Sequence, residues 1–321
     1  MKRPPYSLTE KIFASSSEIQ RLLGRYEGIM MPKPSVKLRR SSRIKTIQSS
    51  LEIEGNKLTQ EQVTAILDDK KVLGPQRDIL EVKNAIALYD QADLFNILSE
   101  KSLCKAHSIM MKGLIKSPGK WRSGNIGVID GSKVKHVAPK PNMVPNLISN
   151  LFEFLKNEEK KKYLISSCVF HYELEFIHPF EDGNGRMGRF WQHLILTRYH
   201  PLFEYTPIES VIRDHQKDYY SALENADKSS ESTVFIEFCL EAILNSLSSF
   251  LDELKPEPLT TESRLENAKG QFGKNWFSRK DYIRFFKTIS TATASRDLLF
   301  GMESKLLEKK GDKATTEYRF V

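Results

Sequence analysis

The chain has 321 residues, 40% hydrophobic and 28% charged, which excludes collagen-like, coiled-coil-only and wholly disordered chains and leaves room for about two domains. Its formal net charge of +8 favours anionic partners without choosing between a nucleotide and a nucleic acid. Cys104, Cys168 and Cys239 lie far apart with no CxxC pair, which argues against a disulfide framework or a zinc knuckle and predicts reduced core thiols.

Along the chain, helical periodicity dominates. Leu8 to Met31, Leu38 to Glu54, Leu58 to Leu73, Ile79 to Leu98, Val144 to Lys156 and Lys161 to Phe176 each repeat apolar residues at helical spacing, so the fold class is mostly α. No apolar run is expected to approach the ~18 residues of a membrane span. The amino-terminal MKRPPYSLTE has no apolar segment after its charges, and the expectation is a cytoplasmic protein with no membrane partner.

The segment Lys33–Lys45 carries six positive and no negative side chains. It reads as a solvated helix face or, as the alternative, a phosphate-binding patch. Within and beyond it, Ile44, Ile47 and Leu51 share one helix face, and the next position on that face is Glu54, followed by Gly55. A carboxylate thus ends an apolar stripe at the negative end of the helix dipole, where it needs a cationic partner.

Residues Ile126–Val137 predict a hairpin, with an Asp-Gly turn between β-branched residues. The long apolar stretch Thr233–Leu251 is followed by DELKPEPLTTES, whose two prolines and acidic and small polar residues mark a linker at 252–263. From Phe272 the pattern is a short helix holding Trp276, a helix Ser278–Lys287, a Ser/Thr-rich turn, a helix from Ala294 to Leu307 and a terminal hairpin, the order of a winged helix. Residues 272–321 hold eleven Lys and Arg against six Asp and Glu, which permits nucleic-acid binding. The balance of Arg296 and Lys305 against Asp297 and Glu303 on the candidate recognition helix instead favours a protein-docking or structural wing. The expected domains are 1–60, amino-terminal helices; 61–251, a catalytic core; and 264–321, the wing.

Chemistry concentrates in His178-Pro-Phe-Glu-Asp-Gly-Asn-Gly-Arg-Met-Gly-Arg189. Pro179 cannot continue the preceding helix, and Gly183 and Gly185 let backbone amides approach an anion. A helix starting near Asn184 or Gly185 points its unpaired N–H groups and positive dipole end into the loop as a phosphate cradle. Arg186 and Arg189, at i and i+3, reinforce it for two phosphates of one polyphosphate. Asp182 then fits as the holder of a bridging Mg²⁺, which leaves His178 as proton acceptor. Neither GxxxxGK[ST] nor GxGxxG occurs, and His171, His193 and His200 suit packing or solvent better than metal ligation.

At these residues the sequence resembles the Fic family, whose signature HxFx[DE]GNGRxxR is met by His178, Phe180, Asp182, Gly183, Asn184, Gly185, Arg186 and Arg189. The resemblance implies a Fic-type helical core with a β-hairpin flap, binding ATP and Mg²⁺ and transferring AMP to a Ser, Thr or Tyr hydroxyl of a target protein. His178 would deprotonate the hydroxyl and Asp182 hold the metal. Asn184 and the Gly183–Gly185 amides would hold the α-phosphate region, and Arg186 and Arg189 the β- and γ-phosphates. The flap, at Ile126, Gly127, Val128 and Ile129, would pair with the target backbone, and Tyr219 or Tyr220 would border the adenine or pack in the core. Ser50-Leu-Glu-Ile-Glu54-Gly55 resembles the family's inhibitory [ST]xxxE[GN] motif, which implies that Glu54 pairs with Arg189 and blocks the γ-phosphate grip. The competing readings are a nucleotide-sensing DNA-binding regulator, and a Fic enzyme that removes AMP or transfers another phosphate-linked group.

Overall fold

The computed structural model describes residues 4–28, 34–130, 133–254, 260–287, 289–312 and 315–321, with side chains left out of the description at 128–136. Contacts divide the chain into two compact units, Met1–Leu254 and Lys255–Val321.

In the first unit the helices are α1 (Glu10–Gly28), α2 (Val36–Ile53), α3 (Gln60–Leu67), α4 (Gln76–Tyr89), α5 (Glu100–Met110), α6 (Val144–Asn157), α7 (Tyr163–Ile177), α8 (Asn184–Tyr199), α9 (Ile208–Asp214), α10 (Gln216–Ser229) and α11 (Thr233–Leu254). Strands β1 (Gly127–Asp130) and β2 (Lys133–Val137) pair antiparallel between α5 and α6, with a register shift at Val128/Ile129. Several starts are set by caps: Ser35 accepts from the Leu38 amide, and Thr59 and Gln62 form a reciprocal capping box.

Helix α7 is apolar nearly all round, the pattern of a helix surrounded by others, and α8 is buried along most of its length with Arg186, Arg189, Gln192 and His193 included. Phe170, Cys168 and Leu174 of α7 and Phe190, Trp191 and Ile195 of α8 are fully buried, and the Trp191 indole donates to the Ile97 carbonyl at 3.2 Å. Phe235, Ile236, Leu240, Ile243 and Leu247 of α11 close the same core. By length and composition α11 could cross a membrane, which corrects the expectation that no run approaches that length. Here its apolar face packs inside the unit, as a core helix does.

The helices observed are mostly shorter than their periodic stretches. Pattern continues past Leu67 and Tyr89, but the chain turns there because Asp68 and Asp90 take the cap positions. The expected linker 252–263 is shorter at both ends, since α11 runs to Leu254 and the next helix begins at Thr261; residues 255–259 lie outside the described residues.

The second unit comprises α12 (Thr261–Phe272), β3 (Phe277–Ser278), α13 (Arg279–Phe286), α14 (Thr291–Glu303), β4 (Leu307–Lys310) and β5 (Glu317–Phe320). Its three strands are ordered β3-β5-β4, all antiparallel. Trp276 is not in a helix, as its pattern suggested. It precedes β3, a strand that exists only because Phe277 and Ser278 pair with Tyr318 and Glu317 forty residues on. Asp297, one of the charges set in balance on the candidate recognition helix, is fully buried. It accepts from Arg264 Nε at 2.6 Å and from Thr261.

Candidate active site

The site forms where α7 ends, the chain turns through 178–183 and α8 begins. His178 caps α7 in the left-handed region (φ 49°, ψ 60°), with its amide donating to Leu174 O. That backbone costs a non-glycine residue about 1–2 kcal/mol. Its imidazole is half-buried and Nδ1 lies 3.4 Å from the Glu175 carbonyl.

Gly183 is the N-cap of α8 at φ 83°, and a Cβ there would lie 2.7 Å from Met111 Sδ, so both conformation and space call for glycine. Gly185 leaves the first turn of α8 open to a close approach. A Cβ on it would stand 2.5 Å from Glu54 Oε1, so the Glu54 carboxylate rests over the bare backbone at the positive end of this helix.

Arg189 is buried and turned toward α2. Nη2 donates to Glu54 Oε1 at 2.7 Å and to Ser50 O at 3.0 Å, and Nε donates to Ser50 Oγ at 3.1 Å. Burial works against the cation, but the charges of Glu54 and Glu175 hold its pKa above the ordinary arginine value. Nη1 is buried with no hydrogen-bond partner among the described residues, as is Arg186 Nε.

Arg186 takes a different direction from Arg189. Its guanidinium lies 3.4 Å from Glu81 Oε1 and donates to Asp182 Oδ1 at 3.1 Å, while Arg77 stands 3.5 Å from Asp182 Oδ2. The two arginines, though three residues apart, are therefore held by separate acids rather than side by side. Asp182 also accepts from the Gly183 amide at 2.6 Å, and its carboxylate remains 41% exposed. Among the described residues no cluster of three or more His, Cys, Asp or Glu could hold a metal. A lone exposed carboxylate is nonetheless what Mg²⁺ takes when phosphate oxygens supply most of its shell.

Asn184 departs from its expected role. Its carboxamide accepts from the Phe180 amide at 2.9 Å and donates to Phe180 O at 3.0 Å, buried. It staples the loop shut. Of the two places expected for Tyr219, the adenine border and the core, it takes the core: it is 1% exposed, with its hydroxyl 3.1 Å from His171 Nε2 and 3.3 Å from Glu175 Oε1. Tyr220 is 42% exposed and donates to Ile53 O at the end of α2 at 3.4 Å.

Of the hairpin residues, Ile126 lies just before β1 and its carbonyl accepts from Ala138, while Gly127, Val128 and Ile129 lie in the strand. The side chains of Val128 and Ile129 fall outside the described residues.

Two residues that sequence reasoning missed hold the turn. His107 is fully buried, stacked on Phe180 with ring centroids 3.6 Å apart, and its Nδ1 accepts from the Gly119 amide at 2.8 Å. The proton is then on Nε2, which donates to Asp182 O at 2.9 Å. Burial keeps this imidazole neutral, its pKa lowered to about 4. Arg122 is buried and its Nε donates to His178 O at 2.7 Å. Neither partner is near in sequence, so no local pattern announces them.

The Fic/DOC family model matches residues 97–196. A crystal structure of a Fic family protein from Desulfovibrio desulfuricans G20 superposes with a TM-score of 0.75 at 38% identity, covering 100% of this chain and 98% of that one. A Fic-domain-containing signaling protein from Bacteroides thetaiotaomicron, at 21% identity and a TM-score of 0.61 over 78% of this chain and 100% of its own, shares the fold. The chain is also similar to a protein of Aquifex aeolicus named "Probable protein adenylyltransferase", 29% identical over 73% of this chain and 76% of that protein. It is 27% identical to the protein adenylyltransferase Fic of Nematostella vectensis over 68% of this chain. The chain spans about half the length of that relative and of the mosquito relatives it matches.

Proposed function

This chain belongs to the Fic family, and from that premise we propose that it is a protein adenylyltransferase, moving AMP from ATP to a hydroxyl of a Ser, Thr or Tyr on a target protein, and held in check by Glu54. The observation that carries this is the open first turn of α8. Bare backbone at Gly185 faces an anion already in place, the Glu54 carboxylate, with a buried Arg189 donor left over beside it.

The steps follow from the residues. His178, with Nδ1 directed at the Glu175 carbonyl, offers Nε2 to the target hydroxyl and takes its proton. The freed oxygen forms a bond to the α-phosphorus of ATP, the bond from that phosphorus to the bridging oxygen breaks, and pyrophosphate leaves. The Asn184 and Gly185 amides and the α8 dipole hold the α-phosphate, and Arg189 holds the terminal phosphate. Asp182 would hold Mg²⁺, whose charge when bound offsets that of the phosphates. Arg186 fixes Asp182 through its 3.1 Å contact and reaches the phosphates only by leaving Glu81.

With Glu54 on Arg189 the terminal phosphate lacks its grip, and ATP binds out of line for attack. Ser50 strengthens this closed state by holding the same guanidinium through Oγ and O. The carboxyl-terminal unit serves as a winged-helix-like docking or structural module.

The test is incubation with ATP labelled on the α- or the γ-phosphate, alone and with a cell lysate. Label on protein from the α-position with release of pyrophosphate is the expected result. Label from the γ-position means phosphate transfer and overturns the reading.

A further inference from the structure

Arg122 stands between the two parts of the machinery that the reaction must bring together. On one side it holds three consecutive carbonyls of the turn after α7. Its amide donates to Pro179 O at 2.9 Å, Nε to His178 O at 2.7 Å and Nη2 to Ile177 O at 3.4 Å. On the other side it holds both feet of the hairpin: Nη1 donates to Gly124 O at 2.9 Å, before β1, and Nη2 to Pro139 O at 2.5 Å, after β2. The preceding residue, Trp121, packs its ring 4.9 Å from that of Phe180 in the same turn.

We propose that Arg122 is a positioning residue that locks the hairpin and His178 into one rigid piece, so that a polypeptide aligned on the hairpin presents its hydroxyl at a fixed distance from the imidazole. The adenylyltransferase reading underlies the catalytic half of this claim, while the rigid linkage stands apart from it. The left-handed backbone of His178 is a conformation the chain leaves unless its surroundings hold it, and the planar fork of a guanidinium is what spans two sets of carbonyls at once. A lysine keeps the charge but presents its donors at a single point and cannot take the place of the fork on either set of carbonyls.

Hydrogen exchange and transfer are measured together on the full chain, with Arg122→Lys and Arg122→Met each placed beside the Glu54→Gly background. In both variants the amides of 133–137 and of 177–180 are expected to lose protection together. The turnover of AMP transfer should fall by at least about tenfold while the KM for ATP stays within about twofold, because ATP is gripped by α8 and not by Arg122. A purely structural role moves stability and both kinetic constants alike, or loosens only one of the two segments, and either outcome overturns the proposal. Unchanged turnover in a variant that has lost protection overturns it too. Should the variants fail to fold, the unsubstituted chain decides: the two segments should open in one step with the same urea dependence, and separate openings contradict the linkage. Absence of transfer in the Glu54→Gly parent counts against the enzymatic reading and leaves the exchange result to judge Arg122.

Discussion

Glu54 and Arg189 are 135 residues apart in sequence and 2.7 Å apart in space, joining the end of α2 to the second turn of α8. The guanidinium is 1% exposed while the carboxylate remains 31% exposed, so the anion can leave toward solvent but the cation cannot follow it. Without Glu54, Arg189 would be a buried charge in need of another anion, a need that a phosphate meets in the proposed function.

Ser50→Ala removes the hydroxyl that accepts from Arg189 Nε at 3.1 Å and leaves the Glu54 contact in place. AMP transfer should rise, but stay below that of Glu54→Gly, because the Glu54 carboxylate and the Ser50 carbonyl still hold the guanidinium. Rates of labelling from α-labelled ATP check this; a rate equal to that of the Glu54 variant means Ser50, not Glu54, sets the closed state.

Asp182→Asn keeps an oxygen for the Gly183 amide and Arg186 but removes the negative charge. The Mg²⁺ concentration giving half-maximal transfer should rise by at least about tenfold with little change in melting temperature. An unmoved Mg²⁺ midpoint assigns the metal to another residue.

Tyr219→Phe deletes a buried hydroxyl that meets His171 and Glu175. Stability should fall by about 1 kcal/mol, and the KM for ATP should hold. Denaturant unfolding and kinetics check the pair; a raised KM at unchanged stability returns Tyr219 to the nucleotide.

His107, His171 and His193 are buried and neutral, with pKa values lowered from 6.5 to about 4, 3 and 4 by burial. The unfolded chain binds these protons first, so their contribution to stability is complete above about pH 6.5 and is lost as pH falls toward 4 and 3. Glu173 and Glu209 have pKa values raised to about 7 by burial and act in the opposite sense, losing stability as pH rises from 4.5 through 7. Between pH 6.5 and 4.5 three histidines oppose two glutamates, which leaves a net loss of about 1.4 kcal/mol per pH unit, and from 4.5 to about 4 the three histidines act unopposed. Melting temperature should therefore fall gently from 6.5 to 4.5 and about three times as steeply just below; a drop already at its steepest from 6.5 contradicts the assignment of the two glutamates.

What the sequence made legible is what is local. Pro179, the glycines and the arginines of the motif specify a turn into a helix by their own chemistry, and α8 begins at Asn184 as that chemistry requires. The stripe Ile44, Ile47, Leu51 gives the buried face of α2, with Glu54 at its end. What depends on distant partners was hidden. Asn184 meets Phe180 only once the loop closes, Arg186 finds Glu81 from α4, and Arg122 meets a turn 56 residues away. Tyr219 and Tyr220 are adjacent aromatics that composition cannot tell apart; the packing of α10 buries one and exposes the other.

The proposed function requires His178 to carry the transfer of AMP and Glu54 to restrain it. The direct measurement compares labelling from α-labelled ATP by the parent chain, Glu54→Gly, and Glu54→Gly with His178→Ala, each with ATP binding measured alongside. Loss of a charge-assisted contact of roughly 1.5–3 kcal/mol predicts a gain of about tenfold or more for Glu54→Gly, and the added His178→Ala should abolish transfer while ATP still binds. A Glu54→Gly chain that binds ATP but labels no faster than the parent, or a double variant that still transfers, contradicts the account.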